Sequence, residues 1–449
     1  MNTTLIDPRT GRTRGTSPIG RETEVGEAVA NARTALATWR GLTPKERSRR
    51  LERLAALVEE NAAEYVAREN AGTGKPSSET AGEVAQVADL FRFYASAVRA
   101  QTAPAAGRLI DGHESWVRWE PLGVVGVVVP WNYPLMMATW RCAPALAAGN
   151  VVVVKPAETT PDTLELLAQH AAEALGLGVL TTVPGDRETG RLLVAADVDM
   201  IAFTGSARAG ADVAARAAGR RVSLELGGNA PALVLPDAPS DTWTQLVAAC
   251  AYNAGQSCAA PARVITLPEN YEQTVAELAE AARQCVAGHD FGPLNNADQA
   301  ARYDGIVKSS AAGRSLAGEL ALGAGEENGY WRPVRILADL PDDDPAVVEE
   351  VFGPLLTVQQ AEDLDAAVSL ANGVPQALAA SVWTQDLTTG LELAGRLNAG
   401  EAWLNCHLAQ TAELPHGGRG ASGHGTDLSV LALHEYQRPK TVTARLVRG

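Results

Sequence analysis

The sequence predicts an α/β protein built on a doubly wound parallel sheet, followed by a second α/β region. Three observations carry that reading. Short apolar, β-branched runs such as "GVVGVVVP" (123–130) and "NVVVVKP" (150–156) read as strands buried on both faces. Segments of helical period separate them. Glycines and prolines close the runs, as in "VVVP", "VVKP" and "TVPG". Buried strands alternating with helices specify parallel strands joined by crossovers.

The elements follow in order. Residues 24–40 and 46–70 carry apolar residues at helical spacing on a charged background. "GTGKP" (72–76) breaks the pattern, and 79–100 resumes it. After the strand at 123–130 come a helix at 134–149, a strand at 150–156 and a helix at 160–176. Thr160 is the expected N-cap of that helix and Pro161 its first residue. Strands at 179–185, 200–206 and 221–228 then alternate with helices at 188–195 and 207–218. The alternation resumes after Cys258, with a helix at 270–288 and the segments 262–268, 355–360, 363–373, 378–384 and 387–405 continuing it. Residues 308–345 are the least regular stretch, and 440–449 reads as a strand.

Composition bounds the function. At ~150 residues per domain, 449 residues predict two or three domains. A net charge of −15 argues against nucleic acid as a partner. The cysteines are Cys142, Cys250, Cys258, Cys285 and Cys406, an odd number with no CxxC, which points to reduced thiols and the cytoplasm. No apolar leader and no run of membrane-spanning length are expected. Seven scattered histidines without HExxH predict no metal. Two patterns imitate nucleotide loops. "GRGASG" (418–423) fits GxGxxG but has no strand before it and no βαβ unit after it. "GTGKPS" lacks the P-loop glycine, where Glu69 stands, and its Ser or Thr, where Pro76 stands.

Four segments carry chemistry. "PWNYP" puts Asn132 after a strand, where parallel sheets bind ligands. "KPAE" puts Lys155 and Glu158 after the next. "FTGS" ends a strand with Gly205 and Ser206 opening a helix, a setting that suits phosphate. "LELGG" puts Glu225 ahead of two glycines that permit close backbone approach. "AYNAGQSCAAPAR" (251–263) then presents Cys258. Taken alone, Cys258 reads as a buried structural thiol, Glu225 as a surface charge and Asn132 as a turn residue.

Taken together, these segments resemble the aldehyde dehydrogenase superfamily. The resemblance runs from "IDPRTGR" to "KTV" and is most specific in "LELGGNAP" (224–231) and "YNAGQSCAAPAR" (252–263); "MIAFTGSARAG" and "EEVFGP" also match. It implies that Cys258 attacks an aldehyde to give a thiohemiacetal, with the oxyanion held by the Asn132 side chain and the Cys258 N–H. Hydride transfer then leaves a thioester, which water activated by Glu225 hydrolyses; Glu225 also serves as a candidate base for the thiol. It places Lys155 and Glu158 at the adenosine ribose, Gly185 and Gly190 near the adenine, and Gly205 and Ser206 at the pyrophosphate. Glu350 falls at the nicotinamide ribose and Phe352 beside the nicotinamide. Val129, Trp131 and Leu226 fall on the cofactor cleft. A carboxylate at 158 would repel a 2′-phosphate, favouring NAD over NADP while leaving NADP possible.

The resemblance also implies three parts. These are a cofactor domain (1–103 and 122–227), a catalytic domain (228–436) and a small β flap (104–121 and 437–449) that joins copies into a homodimer or homotetramer. Most of the superfamily has Phe where His416 stands. "ELPHGG" with downstream "GTDLS" is similar to the aminobutyraldehyde branch. The implied substrate is therefore a small polar or ω-amino aldehyde such as 4-aminobutyraldehyde, with Tyr133, Trp140, Ser257 and Trp403 lining its site and aromatic faces attracting a cation. Oxidation of a succinate-semialdehyde-type or specialised biosynthetic aldehyde is the enzymatic alternative; a non-catalytic binding relative is the alternative of another class. The sequence departs from the family at Gly420, usually Lys, and at Thr426, commonly basic, and 308–345 matches poorly.

Overall fold

Five strands form the first sheet in the order Leu180–Thr182, Val151–Lys155, Val124–Val128, Met200–Gly205, Arg221–Leu226, with every pair parallel. The computed structural model describes residues 1–217, 219–311 and 313–447. Outside the described residues lie Ala218 of the helix expected at 207–218, Ala312 of the irregular stretch, and Arg448 and Gly449 of the strand expected at 440–449. Val124, Val125, Val151, Val152 and Val153 are fully buried, which is why these runs read as continuous apolar segments. Chain order reverses between Val124–Val128 and Met200–Gly205. Helices leave these neighbours in opposite directions, so a crevice opens at their carboxyl ends. Residues 130–133 and the Gly205–Ser206 turn emerge there.

Seven strands form the second sheet: Arg314–Ala317, Arg335–Ala338, Leu355–Gln360, Pro261–Thr266, Ala230–Val234, Ala379–Trp383 and Glu401–Leu404. Only the first pair is antiparallel. Two of these strands lie in the irregular 308–345 stretch. Arg314–Ala317 is an edge strand with no fully buried position, so it lacks an apolar run. Ala230–Val234 is wholly buried, but its alanines and proline hide it from β-propensity.

Three local expectations are corrected. The helix expected at 46–70 is two, Pro44–Glu60 and Ala62–Thr73, because the Asn61 side chain donates to Leu57 O at 2.8 Å and closes the first. Thr160 is not an N-cap. The helix begins at Asp162 with Pro161 already in helical conformation, and the Thr160 side chain packs toward Gly72 instead. The N-terminal strands Asn2–Ile6 and Thr13–Pro18 pair antiparallel where no strand was expected.

A third, antiparallel sheet orders Gln437–Arg445, His113–Pro121 and Ala106–Gly107, with nine residue pairs along its long edge. No helix among the described residues is long and apolar enough to cross a membrane. Only three residues separate the first large sheet from the second, Gly227, Gly228 and Asn229. The returning C-terminal segment fastens them: Ser422 Oγ donates to Gly227 O at 2.7 Å, and Leu226 N donates to Ser422 O at 3.1 Å. Neither imitation nucleotide loop is one. Lys75 is buried against Glu83, and "GRGASG" forms the two-residue antiparallel strand Arg419–Gly420.

Candidate active site

Cys258 sits in the loop between a 3-10 turn, Tyr252–Gly255, and the strand Pro261–Thr266. The turn winds sharply, with positive φ at Asn253, Ala254 and Gly255 (50°, 54° and 72°). Side chains hold it. Gln256 Nε2 donates to Asn253 O at 2.9 Å, and Gln256 Oε1 accepts from Asn295 N at 2.8 Å. Beyond the sulfur, buried Arg263 donates to Asn229, Leu370 and Ala371 carbonyls. A Cβ on Gly228 would lie 2.2 Å from Cys258 O, so the glycine lets the Glu225 segment approach the loop.

Asn132 and Glu225 come to the same place from two strand ends of the first sheet. Asn132 Nδ2 donates to Gln256 O at 2.9 Å, leaving its second hydrogen free for a ligand. Asn253 Nδ2 reaches back to Asn132 O at 2.8 Å. Glu225 is 2% exposed, and its Oε1 has no hydrogen-bond partner. His416 completes the group: donor atoms of Glu225, Cys258 and His416 all lie within 4.8 Å of one another. Burial pushes the Cys258 thiol up to about 12, the Glu225 charge adds to this, and contact with His416 opposes it. Burial disfavours the His416 cation, but contacts with Cys258, Glu225 and Glu401 outweigh it and hold the imidazole well above its usual range. Nearby His407 is held down to about 4 by burial, hence neutral; it bonds Ala259 O at 2.8 Å and Ser381 Oγ at 2.9 Å.

Behind the site lies a buried charge cluster. Lys75 Nζ is 2.7 and 2.8 Å from the two Glu83 oxygens and 4.0 Å from the Tyr133 ring centre. Glu69 accepts from Leu135 N (3.4 Å) and Thr163 Oγ1 (2.8 Å), and Glu79 accepts from Asn253 N (3.1 Å). Burial pushes Glu69 and Glu79 up to about 7. A carboxyl held above its free value of ~4.3 binds more protons folded than unfolded. Stability at that group is therefore lost as pH rises from roughly 4.5 to 7. Glu79→Gln removes this titration, so the variant's melting temperature relative to the unmodified protein rises between about pH 5 and pH 8. A difference that stays constant with pH would refute this.

Two cavities meet at the sulfur and share only Met137 and Cys258. One, of about 590 Å³, is lined by Tyr133, Trp140, Ser257, His407 and His416 among others. Trp403 is the exception among the expected lining residues. It packs behind His407, ring centres 4.8 Å apart, and donates to Ala409 O at 3.0 Å. The other, of about 250 Å³, brings together Trp131, Asn132, Gly205, Ser206, Glu225, Leu226, Glu350 and Phe352. Phe352 adopts positive φ (55°), which sets its ring edge-on to Trp131 at 5.5 Å. Glu350 accepts from Gly228 N at 3.0 Å, and burial pushes it up to about 7.

Further along the same strand ends, a cavity of about 340 Å³ includes Lys155 and Gly190 with Arg187, Arg191, Arg208 and Arg216. Lys155 pairs with Glu158 at 3.4 Å. Ser206 heads the helix Ala207–Ala217, its Oγ accepting from Ala209 N at 3.3 Å. Cations, a helix N-terminus and an aromatic pair along one crevice fit a dinucleotide. Glu158, Gly185 and Val129 do not line these cavities. Gly185 is needed for close approach, since a Cβ there would meet Thr189 Oγ1 at 2.0 Å, and Val129 N binds Lys155 O. His416 stood out in the sequence only as a departure, and Glu401 carried no signal.

Comparison with known proteins shows the family to which this sequence and fold belong. The profile of the aldehyde dehydrogenase family matches residues 2–442. Betaine aldehyde dehydrogenase of Bacillus subtilis (strain 168) is 33% identical, covering 94% of this chain and 90% of that one. The solved NAD-dependent aldehyde dehydrogenase of Sinorhizobium meliloti superposes with a TM-score of 0.95 at 32% identity, covering 100% of this chain and 92% of that one. Gamma-glutamyl-gamma-aminobutyraldehyde dehydrogenase of Burkholderia cenocepacia J2315 gives 0.95 at 36% identity, covering 99% and 94%. With nearly its whole length matched in sequence and fold, the chain belongs to the aldehyde dehydrogenase family and is an NAD-dependent oxidoreductase acting on the aldehyde group.

Proposed function

We propose that the protein oxidises a small polar or ω-amino aldehyde through a thioester on Cys258. The observation that carries the substrate class is the lining of the larger cavity: Asp89 is its one carboxylate, and no lysine or arginine lines it among the described residues. A carboxylate at the cavity favours an amine-bearing aldehyde. A substrate carrying a carboxylate beside its aldehyde, such as succinate semialdehyde, has no cation there to meet it except the deep imidazole. Trp140 offers an aromatic surface to an ammonium group, whereas one face of Tyr133 is taken by Lys75.

In this reading the aldehyde enters from the larger cavity and Cys258 Sγ attacks its carbonyl carbon. The free Nδ2 hydrogen of Asn132 and the Cys258 N–H receive the oxyanion. NAD, held along the crevice from Lys155 to Phe352, supplies the hydride acceptor when bound. Glu225, whose unpartnered oxygen faces the sulfur, deprotonates the water that cleaves the thioester. Residues 1–103 and 122–227 serve as the cofactor unit and 228–436 as the catalytic unit. The nine-residue pairing at the flap leaves Gln437–Arg445 as an edge strand, which supports a homodimer or homotetramer. Five free cysteines suit a reducing compartment such as the cytoplasm.

The test is kcat/KM for 4-aminobutyraldehyde, acetaldehyde, benzaldehyde and succinate semialdehyde, each with NAD and NADP. The amine is expected to lead by roughly tenfold, with NAD favoured because the resemblance assigns Glu158, paired with Lys155, to the adenosine ribose, where a carboxylate repels a 2′-phosphate. Equal values across the panel, or succinate semialdehyde leading, would remove the substrate assignment.

A further inference from the structure

We propose that His416 is a fixed cation at the reacting sulfur, held from behind by Glu401 and serving Cys258 and Glu225 with its other nitrogen. The proposal rests on Cys258 being the nucleophile.

The geometry is that of a relay with two ends. His416 Nδ1 lies 3.0 Å from Glu401 Oε2 and 3.1 Å from Gln410 Nε2, whose amide donates to the same Glu401 oxygen at 2.9 Å. His416 Nε2 lies 3.6 Å from Glu225 Oε1, and neither atom has a conventional hydrogen-bond partner among the described residues. The sulfur closes the triangle. Trp140 packs edge-on against the imidazole, ring centres 5.0 Å apart, and the His416 side chain is 0% exposed. A nucleophile beside a ring that a third group orients is the arrangement by which thiols are activated elsewhere in chemistry.

Charge decides the protonation. The groups facing His416 are Glu225 at the end of Arg221–Leu226, Glu401 at the start of Glu401–Leu404, Cys258 from its loop, and Asp427, whose backbone pairs with that of His416. Asp427 is answered by Arg141 of the helix Pro134–Ala147 at 3.0 Å. Neutral His407 supplies no charge. Two carboxylates therefore face one imidazole, and a proton on each nitrogen satisfies both. When the thiol ionises, its proton passes from Sγ to Glu225 Oε1, and the imidazolium keeps both of its own and stabilises the thiolate. A neutral ring filling space would leave Glu225 and Glu401 buried without a cation.

The experiment is the pH profile of iodoacetamide alkylation at Cys258, read by peptide mapping on enzyme without cofactor or aldehyde. His416→Gln keeps hydrogen bonding but removes the charge. In it, and in His416→Phe, alkylation across about pH 6–9 is expected to slow by roughly tenfold, the loss of thiolate that one unit of thiol ionisation carries. Glu401→Gln slows it in the same direction by less. Added imidazole is expected to restore the rate in His416→Ala. An unchanged profile in His416→Gln overturns the proposal. If that variant does not fold, an unchanged profile in Glu401→Gln overturns it. Alkylation that maps away from Cys258 in the unmodified enzyme would instead sink the nucleophile assignment.

Discussion

Cys258→Ala is expected to lower kcat by on the order of 10⁴-fold or more, read as NADH absorbance with the best aldehyde of the panel. No neighbour replaces the sulfur. The Ser257 hydroxyl ionises far less readily than a thiol, and the other four cysteines lie outside both cavities that meet at Cys258. The substitution removes one atom and leaves the loop's fastenings through Asn132, Asn253, Gln256 and Arg263 in place. NAD affinity is expected to stay within roughly threefold, because the crevice residues are untouched. Retained turnover would overturn the nucleophile assignment. Loss of NAD binding would instead mean that the loop had collapsed.

Lys75→Met is expected to cost about 3–5 kcal/mol of stability, measured by urea unfolding. Lys75 is 1% exposed and is the cation among three carboxylates, Glu69, Glu79 and Glu83. Removing it leaves Glu83, already pushed up by burial, with only the Tyr252 hydroxyl at 3.5 Å. The double variant Lys75→Met with Glu83→Gln removes both charges and is expected to recover much of the loss, since an uncompensated buried charge costs more than an absent pair. Activity is expected to fall as well. The cluster holds Leu135 N beside the Asn132 turn and Asn253 N in the cysteine turn, so it braces both sides of the oxyanion position. A single variant as stable as the unmodified protein would refute this.

The strands bearing the site were legible because their burial on both faces writes an unbroken apolar run into the sequence. Val124–Val128 and Val151–Lys155 need no partner information to be read. Arg314–Ala317 was hidden because an edge strand alternates with solvent and loses that signature. Thr160 was misread because capping depends on where a side chain points, and tertiary packing against Gly72 decided that. Cys258, Asn132 and Glu225 were legible only as a set, through the resemblance. Glu401 was not legible at all: its contact with His416 spans 15 residues across a strand and a loop, and nothing local marks it. Trp403 was over-read for the same reason, since a tryptophan near a site shows no sign in sequence of whether it faces the cavity or backs it.

The meeting of two chambers at Met137 and Cys258 lets much of one wall change without altering the lining of the other. The larger chamber is walled by residues 86–90, 133–140, 245–259 and 407–428, and the smaller by 130–137, 204–206, 225–227, 299–302 and 350–352, so the 130–140 segment serves both. Asp89 and Gln410 line the larger chamber and not the smaller one. The protein's diet can therefore drift, one wall residue at a time, without retuning the oxidant.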